Sequence, residues 1–181
     1  MRLSPPDPAT LTDDQKRVSA LIAAGPRGQV RGPLALWLHR PELAEAAQAL
    51  GAYCRYGSSL EPRLSELAIL TMAVAWKAEF EWFAHKAIGL KAGLAPELVE
   101  ALRTGADLAF TDAEEEIVHA VTDSLVRTRR LDDALYGRAL ASLGRDRLVD
   151  LVGICGYYSL ISMTLIAFDV PLPEGETAQF A

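Results

Sequence analysis

Proline residues divide the chain into segments of helical length, and the spacing of these prolines limits the folds that the chain can adopt. Pro41, Pro62 and Pro96 each begin a segment rich in apolar residues. Proline suits that position because the first turn of a helix leaves its N–H groups unpaired in any case. Glycines such as Gly93 follow several segments and are typical helix stops. No segment shows the sustained alternation of apolar and polar residues that a half-buried strand needs, so the sequence predicts an all-α fold.

The same signals place about eight helices around a central helical hairpin. A first helix is predicted from Thr12, where Thr12 and Gln15 can form a capping box, to Gly25. A second capping box is predicted at Thr111. The helical segments that follow the first one are 33–40, 41–57, 62–78, 79–93, 96–105, 111–130, 132–143 and 144–168.

The length of the chain favours a single domain. Its 181 residues suffice for one domain with a substantial core and fall short of two full-sized ones. We expect residues 1–181 to form one multi-helix domain, with an N-terminal helical layer at 1–60 and a core at 61–168. The tail at 169–181 is rich in proline and is expected to be extended or loose.

Charge and cysteine content exclude several classes of protein. The net charge is −6 and the basic residues are scattered singly, which argues against a nucleic-acid partner. Cys54 and Cys155 lie far apart and outside any CxxC pair, so a disulfide scaffold is not expected. The first fifteen residues contain three prolines and no apolar run, so we predict no secretory signal and a cytoplasmic location.

Residues 151–168 form an uncharged stretch that raises the question of a membrane span. Eighteen residues reach the lower length limit for a spanning helix. The stretch also contains glycine, serine, threonine and tyrosine, is bordered by Asp150 and Asp169, and lacks flanking Lys or Arg clusters. We therefore expect no membrane partner and interpret it as a helix buried in the core or in a subunit interface.

Glu81 and His85 are the first candidates for chemistry. Side chains four apart on a helix share a face, so one carboxylate and one imidazole project together from an otherwise apolar segment. Such a pair can transfer protons near neutral pH. It can equally form a structural hydrogen bond, just as Arg63 and Glu66 can form a surface ion pair. A metal site would need a third ligand that the local sequence does not supply, so no metal is predicted.

The other histidines and a tyrosine-rich turn are weaker candidates. His39 is predicted to interact with the last carbonyls of a helix, and His119 is predicted to lie on the surface among acidic residues. Tyr53, Arg55 and Tyr56 can line a pocket from the N-terminal layer, although the adjacent turn also explains their polarity.

The hairpin carries a recognisable set of motifs. They are R-x-x-E-L beginning at Arg63, E-W-x-x-H ending at His85, and A-G-L at 92–94. Together they resemble the signature hairpin of the carboxymuconolactone decarboxylase and alkylhydroperoxidase-D superfamily. The resemblance is close over residues 63–94 and looser in later segments such as LVDLVGICGYY. It implies an all-α fold of the alkylhydroperoxidase-D type.

The hairpin of this chain differs from that of the redox branch of the superfamily at the two cysteine positions. In alkylhydroperoxidase-D-like proteins, the hairpin carries a glutamate, a CxxC pair and a histidine that together relay protons to the thiols. Alignment on His85 places Glu66 at the relay glutamate, but it places Ala78 and Glu81 at the two cysteine positions. Thiolate attack on a peroxide needs a low-pKa cysteine. The resemblance therefore disfavours the dithiol peroxidase mechanism.

The decarboxylase branch implies acid–base chemistry without a cofactor. In that branch a lactone acid loses carbon dioxide and a conjugated carbon receives a proton. On this model His85 is the proton donor or shuttle, and Glu81 and Glu66 orient it and adjust its acidity.

The resemblance also suggests substrate-binding residues and an assembly. Arg63 can hold a substrate carboxylate or a neighbouring glutamate. Trp76, Trp82 and Phe83 can form the apolar walls of a site for a small cyclic molecule, or can belong to the core. Proteins of this type usually assemble as homotrimers or hexamers, so a homo-oligomer is expected.

Three functional hypotheses follow. The first is a carboxymuconolactone decarboxylase-like lyase or isomerase that acts on a small cyclic or conjugated acid in the catabolism of aromatic compounds. The second is an alkylhydroperoxidase-like antioxidant protein, which the missing CxxC disfavours. The third is a non-catalytic oligomeric binding module that keeps the hairpin as structure alone. A cavity that reaches His85 would count against the third hypothesis, and a sealed cluster would favour it.

Overall fold

The structure of the chain is a computed structural model that describes residues 1–180. It contains eight α-helices and, over those residues, no strand, which confirms the predicted all-α fold. A 3-10 helix (Pro8–Thr10) precedes the first α-helix, and a π-helix (Tyr53–Gly57) follows the third. The α-helices are α1 (Asp13–Ala24), α2 (Pro33–Trp37), α3 (Pro41–Ala52), α4 (Pro62–Trp76), α5 (Glu79–Lys91), α6 (Pro96–Thr104), α7 (Ala113–Thr128) and α8 (Asp133–Ala167).

Local capping and proline rules account for the beginnings of the N-terminal helices. The capping box of α1 is confirmed, because Thr12 and Gln15 each accept a hydrogen bond from the other's backbone N–H. The second predicted helix was expected to continue to Arg40, but α2 is shorter. Arg40 has an extended φ of −132°, because a residue before proline is kept out of the helical region.

The segment 41–57 is helical, as predicted, but it contains two kinds of helix. The chain is α-helical to Ala52 and then forms the π-helix Tyr53–Gly57. The N-terminal layer, α1 to α3 with this π-helix, packs against α8. One of its connections is a hydrogen bond from Trp37 Nε1 to Thr164 Oγ1 at 3.1 Å.

The hairpin of α4 and α5 lies at the centre of the molecule. Ten successive residues of α4, from Leu64 to Ala73, are buried, so this helix is enclosed on every side rather than along one stripe. It packs against α5, α7 and α8. Lys77 adopts a left-handed conformation with φ 50° and ends α4, and α5 begins two residues later. The side chains on facing sides of this hairpin are therefore fixed by core packing.

The C-terminal helices differ in detail from the sequence prediction. The N-cap of α7 is Asp112, which accepts from the backbone N–H of Glu115, rather than the predicted Thr111. The break predicted between Leu143 and Gly144 is present as a kink inside α8, where Gly144 has φ 72° and ψ 177°. A glycine at this position avoids the steric cost of a positive φ.

Helix α8 has the length and apolar character of a membrane-crossing helix. The most apolar 18-residue window of this helix is 56% buried inside the structure. Helix α8 packs chiefly against α4 and α7. A core helix has the same properties, and this burial agrees with the core interpretation of residues 151–168.

The tail contains no helix over residues 170–180, and its last described residues contact the core. The backbone N–H groups of Gln179 and Phe180 donate to the Glu79 carboxylate at 2.7 and 2.6 Å. The Phe180 ring packs edge-on against Trp82, with 5.3 Å between centroids. The tail is thus attached to the first turn of α5.

A buried ion pair connects α4 to α7. Glu115 has no exposed surface and accepts hydrogen bonds from Arg63 Nη1 and from the backbone and hydroxyl of Thr111. Arg63 also contacts Asp112 at 2.6 Å. The carboxylate of Glu115 is therefore fully paired inside the protein, which offsets its desolvation.

We predict that Glu115→Ala lowers the free energy of unfolding by about 3 to 5 kcal/mol, because it leaves the donors of Arg63 and Thr111 without their acceptor. Urea denaturation followed by circular dichroism measures this change. The matched control is Glu116→Ala on the same helix, since the exposed pair of Glu116 with Arg138 is worth about 1 kcal/mol or less. Equal losses in the two variants would contradict the assigned role of Glu115.

Candidate active site

Three side chains of the central hairpin form one buried cluster. His85 Nδ1 lies 2.7 Å from Glu66 Oε2 on α4, and His85 Nε2 lies 2.9 Å from Glu81 Oε1 one turn earlier on α5. The exposed fractions of Glu66, Glu81 and His85 are 6%, 5% and 3%. The structure thus brings together the three residues proposed from the sequence for acid–base chemistry.

The two carboxylates determine the charge of the imidazole. Burial by itself opposes protonation of His85, but the negative charges of Glu81 and Glu66 and their hydrogen bonds outweigh it and raise the pKa of His85 to about 9. The ring is therefore protonated at neutral pH, and each ring N–H faces a carboxylate. The cluster of two carboxylates and one imidazolium carries one net negative charge.

Two tyrosines of α8 complete the surroundings of the cluster. Tyr158 Oη lies 3.4 Å from His85 Nε2, and the two rings pack edge to face. Burial, assisted by the charge of Glu81, raises the pKa of Tyr158 well above its ordinary value, so it is a neutral phenol. Burial also raises the pKa of the adjacent Tyr157 to about 12. Both hydroxyls can donate hydrogen bonds and neither is ionised at neutral pH.

A cavity of about 180 Å³ reaches His85 and Glu81. Drug-sized ligands occupy roughly 300 to 1,000 Å³, so this cavity suits a smaller molecule. One part of its wall is apolar and another part is cationic. Its lining residues are Arg27, Gln29, Arg31, Pro33, Leu34, Arg55, Tyr56, Phe80, Glu81, Ala84, His85, Tyr157, Tyr158 and Ile161.

The π-helix supplies Arg55 and Tyr56 to this cavity. The Asp150 carboxylate accepts from Tyr53 Oη at 2.6 Å and from both the backbone N–H and the hydroxyl of Ser59, at 2.7 and 2.6 Å. These bonds fix the two ends of the π-helix to α8. Of the three residues considered from the sequence as a pocket lining, Arg55 and Tyr56 line the cavity and Tyr53 does not.

Arg63 lies away from the cavity, contrary to its predicted role in binding a substrate carboxylate. It does hold a neighbouring glutamate, but that residue is Glu115 on α7 rather than Glu66. The physical reason is that α7 begins beside the first turn of α4 and offers Arg63 two carboxylates, Asp112 and Glu115.

The predicted aromatic wall is also placed elsewhere. Trp82 is buried beneath the tail residue Phe180. Phe83 is 36% exposed, and Trp76 packs partly buried against the core. None of these three lines the cavity that reaches His85, and Pro33, Leu34, Phe80 and Ile161 form its apolar part instead.

Several cavity residues come from distant segments of the chain and were not predicted from the sequence. Arg27 and Arg31 lie in the loop between α1 and α2, and Tyr157 and Tyr158 lie in α8. The available signals were two arginines in a short loop and two adjacent tyrosines in an apolar helix. Neither signal by itself indicates which surface those side chains face.

The remaining nucleophilic and titratable groups lie outside the cavity. Burial raises the pKa of Cys54 and of Cys155 to about 11 each. His39 Nε2 contacts the Ser4 carbonyl oxygen at 2.8 Å instead of capping a helix. His119 was predicted to be a surface residue, but it is half-buried against Phe110, and burial lowers its pKa. Within residues 1–180, no three His, Cys, Asp or Glu side chains are grouped as metal ligands.

Comparison with known proteins agrees with this architecture. Residues 41–123 match the model of the carboxymuconolactone decarboxylase family, a span that contains the buried cluster but neither the α1–α2 loop nor α8. No curated protein matches the chain in sequence.

Two solved structures resemble the fold. A protein of unknown function from Agrobacterium tumefaciens, suggested to be the antioxidant defence protein AhpD, has 16% identity and a TM-score of 0.69, with 79% of this chain and 99% of that chain covered. An uncharacterized peroxidase-related protein from Silicibacter sp. TM1040 has 18% identity and a TM-score of 0.76, with 96% and 92% covered. The chain is therefore similar to the carboxymuconolactone decarboxylase family over residues 41–123, and it shares its fold with these two structures.

Proposed function

We propose that the protein is a cofactor-free lyase or isomerase that acts on a small cyclic or conjugated acid, with His85 as the proton donor. One observation carries this proposal: the His85 imidazole, held between two buried carboxylates, lies at the wall of a cavity of small-molecule size. A cluster that served only as structure would not need a cavity beside it.

The geometry suggests different roles for Glu66 and Glu81. Glu66 lies behind the ring and fixes its orientation through Nδ1, whereas Glu81 and Tyr158 are on the cavity side near Nε2. The proton on Nε2 is therefore the one available to a bound molecule. Glu81 accepts a hydrogen bond from this N–H, and after transfer its carboxylate can pass a proton from water to the ring.

A decarboxylation at this site breaks one carbon–carbon bond and uses one proton. The bond between the substrate carbon and its carboxylate breaks, carbon dioxide leaves, and the electron pair enters the conjugated system. The carbon at the far end of that system takes the Nε2 proton of His85, which becomes neutral. His85 then regains a proton from bulk water by way of the Glu81 carboxylate. In an isomerisation, Glu81 removes a proton from carbon and His85 supplies one at another carbon.

The names of the two solved structures point to a peroxidase alternative, and the thiols of this chain count against it. Peroxide reduction by cysteine needs an accessible thiol of low pKa. Cys54 and Cys155 are buried, their pKa values are raised, and neither lines the cavity. Ala78 and Glu81 occupy the positions at which the redox branch has its two cysteines.

We predict that His85→Gln lowers turnover about 100- to 10,000-fold, the usual contribution of a general acid. Carboxymuconolactone and a panel of small unsaturated acids are incubated in D₂O, and product formation and deuterium incorporation are followed by proton NMR. His39→Gln, which replaces an exposed histidine, is the matched control and should retain wild-type turnover. Undiminished turnover in His85→Gln would contradict the proposal, and no conversion by the wild type would favour the non-catalytic binding module.

We also predict that stability falls at alkaline pH because of His85. Its pKa is about 9 in the fold against an ordinary 6.5, so the charged ring stabilises the folded state fully below about pH 6.5. That contribution, on the order of 3 kcal/mol, is lost as the pH rises through about 9. Urea denaturation between about pH 6 and about pH 10 measures it. The alkaline decline in the free energy of unfolding should be absent from His85→Gln. The same decline in both proteins would refute the assignment of this effect to His85.

We further propose that the chain assembles as a homo-oligomer through α8. Four apolar side chains on one side of this helix are 45 to 65% exposed and recur at helical spacing, namely Val149, Val152, Met163 and Ile166.

We predict that Val152→Glu reduces the assembled fraction in analytical ultracentrifugation. Leu43→Glu, at an exposed apolar position of α3, should leave assembly unchanged, and a monomeric wild type would end the proposal.

A further inference from the structure

Three arginines of the cavity lack carboxylate partners. Within residues 1–180, no carboxylate oxygen lies within 4.0 Å of a guanidinium nitrogen of Arg27, Arg31 or Arg55. Other arginines of the chain do form such pairs, namely Arg17, Arg63, Arg103, Arg127, Arg138 and Arg147. Three of the arginines without a carboxylate partner therefore line the same cavity.

Arg27 is the most constrained of the three. Its Nη2 donates to Tyr157 Oη at 3.3 Å, whereas its Nε is buried and has no hydrogen-bond partner. A buried donor without an acceptor costs free energy, so this nitrogen is a place where an incoming acceptor gains binding energy. The guanidinium also lines the cavity that reaches His85.

A glycine in α3 makes room for this arrangement. A Cβ atom added at Gly51 would lie 2.1 Å from Tyr157 Oη and 2.4 Å from Arg27 Nη2. Both groups therefore pass directly over the helix backbone, and Gly51 permits that approach. The position of Arg27 is set by α3 and α8 rather than by its own loop alone.

The charges of the cavity are not balanced by the protein. Glu66, Glu81 and the His85 imidazolium carry one net negative charge, and three guanidinium groups line the same space. The lining therefore has an excess of positive charge, and an anionic ligand would balance it. The planar fork of an arginine matches a carboxylate, which it binds through two parallel hydrogen bonds.

We propose that Arg27, assisted by Arg31 and Arg55, binds a carboxylate group of the cavity ligand and selects small carboxylic acids over neutral molecules of the same shape. The inference rests on the proposed function only in taking this ligand to be the substrate. The body of the ligand then lies against the apolar wall of Leu34, Phe80 and Ile161. None of these arginines except Arg55 lies within the family-matching span 41–123.

Benzoate, its neutral isostere benzamide, and inorganic phosphate serve as probes in isothermal titration calorimetry with the full chain. We expect benzoate to bind at least about tenfold more tightly than benzamide, and Arg27→Gln to weaken benzoate about ten- to a hundredfold. Arg130→Gln, which replaces an exposed arginine outside the cavity, should bind benzoate as the wild type does.

Circular dichroism shows whether Arg27→Gln is folded. If it is not, a second variant, Arg27→Lys, keeps the proposal testable. Arg27→Lys keeps the charge but not the fork, so its affinity for benzoate should fall between those of the wild type and Arg27→Gln. Wild-type affinity in both variants, or benzamide binding equal to benzoate, would overturn the assignment. Phosphate binding as tight as benzoate would replace the carboxylate site with a general oxyanion site and would likewise overturn it.

The benzoate-binding experiment and the turnover experiment test the two proposals independently. Weakened benzoate binding in Arg27→Gln, together with undiminished turnover in His85→Gln, would retain the anion site and reject His85 as the donor. Wild-type benzoate binding in Arg27→Gln, together with loss of turnover in His85→Gln, would retain the donor and reject the anion site.

Discussion

Two carboxylates buried in an apolar helical hairpin require a cation between them, and the organisation of this protein follows from that requirement. An unpaired buried carboxylate costs several kcal/mol, and here Glu66 and Glu81 share the single imidazolium of His85. The pairing holds only while α4 and α5 keep their spacing. The enclosure of α4 by α5, α7 and α8 maintains it, so the same packing that forms the core also holds a proton at the edge of a cavity.

The sequence predicts this hairpin well because its signals are local. Helix beginnings follow from proline positions and capping residues, and the spacing of Glu81 and His85 places both on one face. The prediction fails where local rules compete. Thr111 and Asp112 are both acceptable N-caps, and the structure selects Asp112 because the Thr111 hydroxyl instead donates to Glu115.

Residues that meet across long sequence distances could not be predicted in the same way. Local sequence allows Arg63 to hold either a substrate carboxylate or a neighbouring glutamate, because its partner Glu115 lies 52 residues further along the chain. It likewise allows Trp82 to form a cavity wall or to belong to the core, because nothing local indicates that Phe180 covers it. Arg27 and Tyr157 meet over 130 residues. Helical periodicity gives the face of each side chain but not which helix lies opposite, and the arginine and tyrosine lining of the cavity depends on that second fact.

The π-helix Tyr53–Gly57 has a consequence for how such a site can diversify. A π-helical turn accommodates one more residue than an α-helical turn. A chain with one residue fewer here could continue α3 as a regular helix, with the following side chains rotated by roughly 100° about its axis. Arg55 and Tyr56 would then face another direction, while the buried cluster on α4 and α5 stayed in place. A change of a single codon in length is therefore a route by which a relative could change the lining of this cavity without altering the buried cluster.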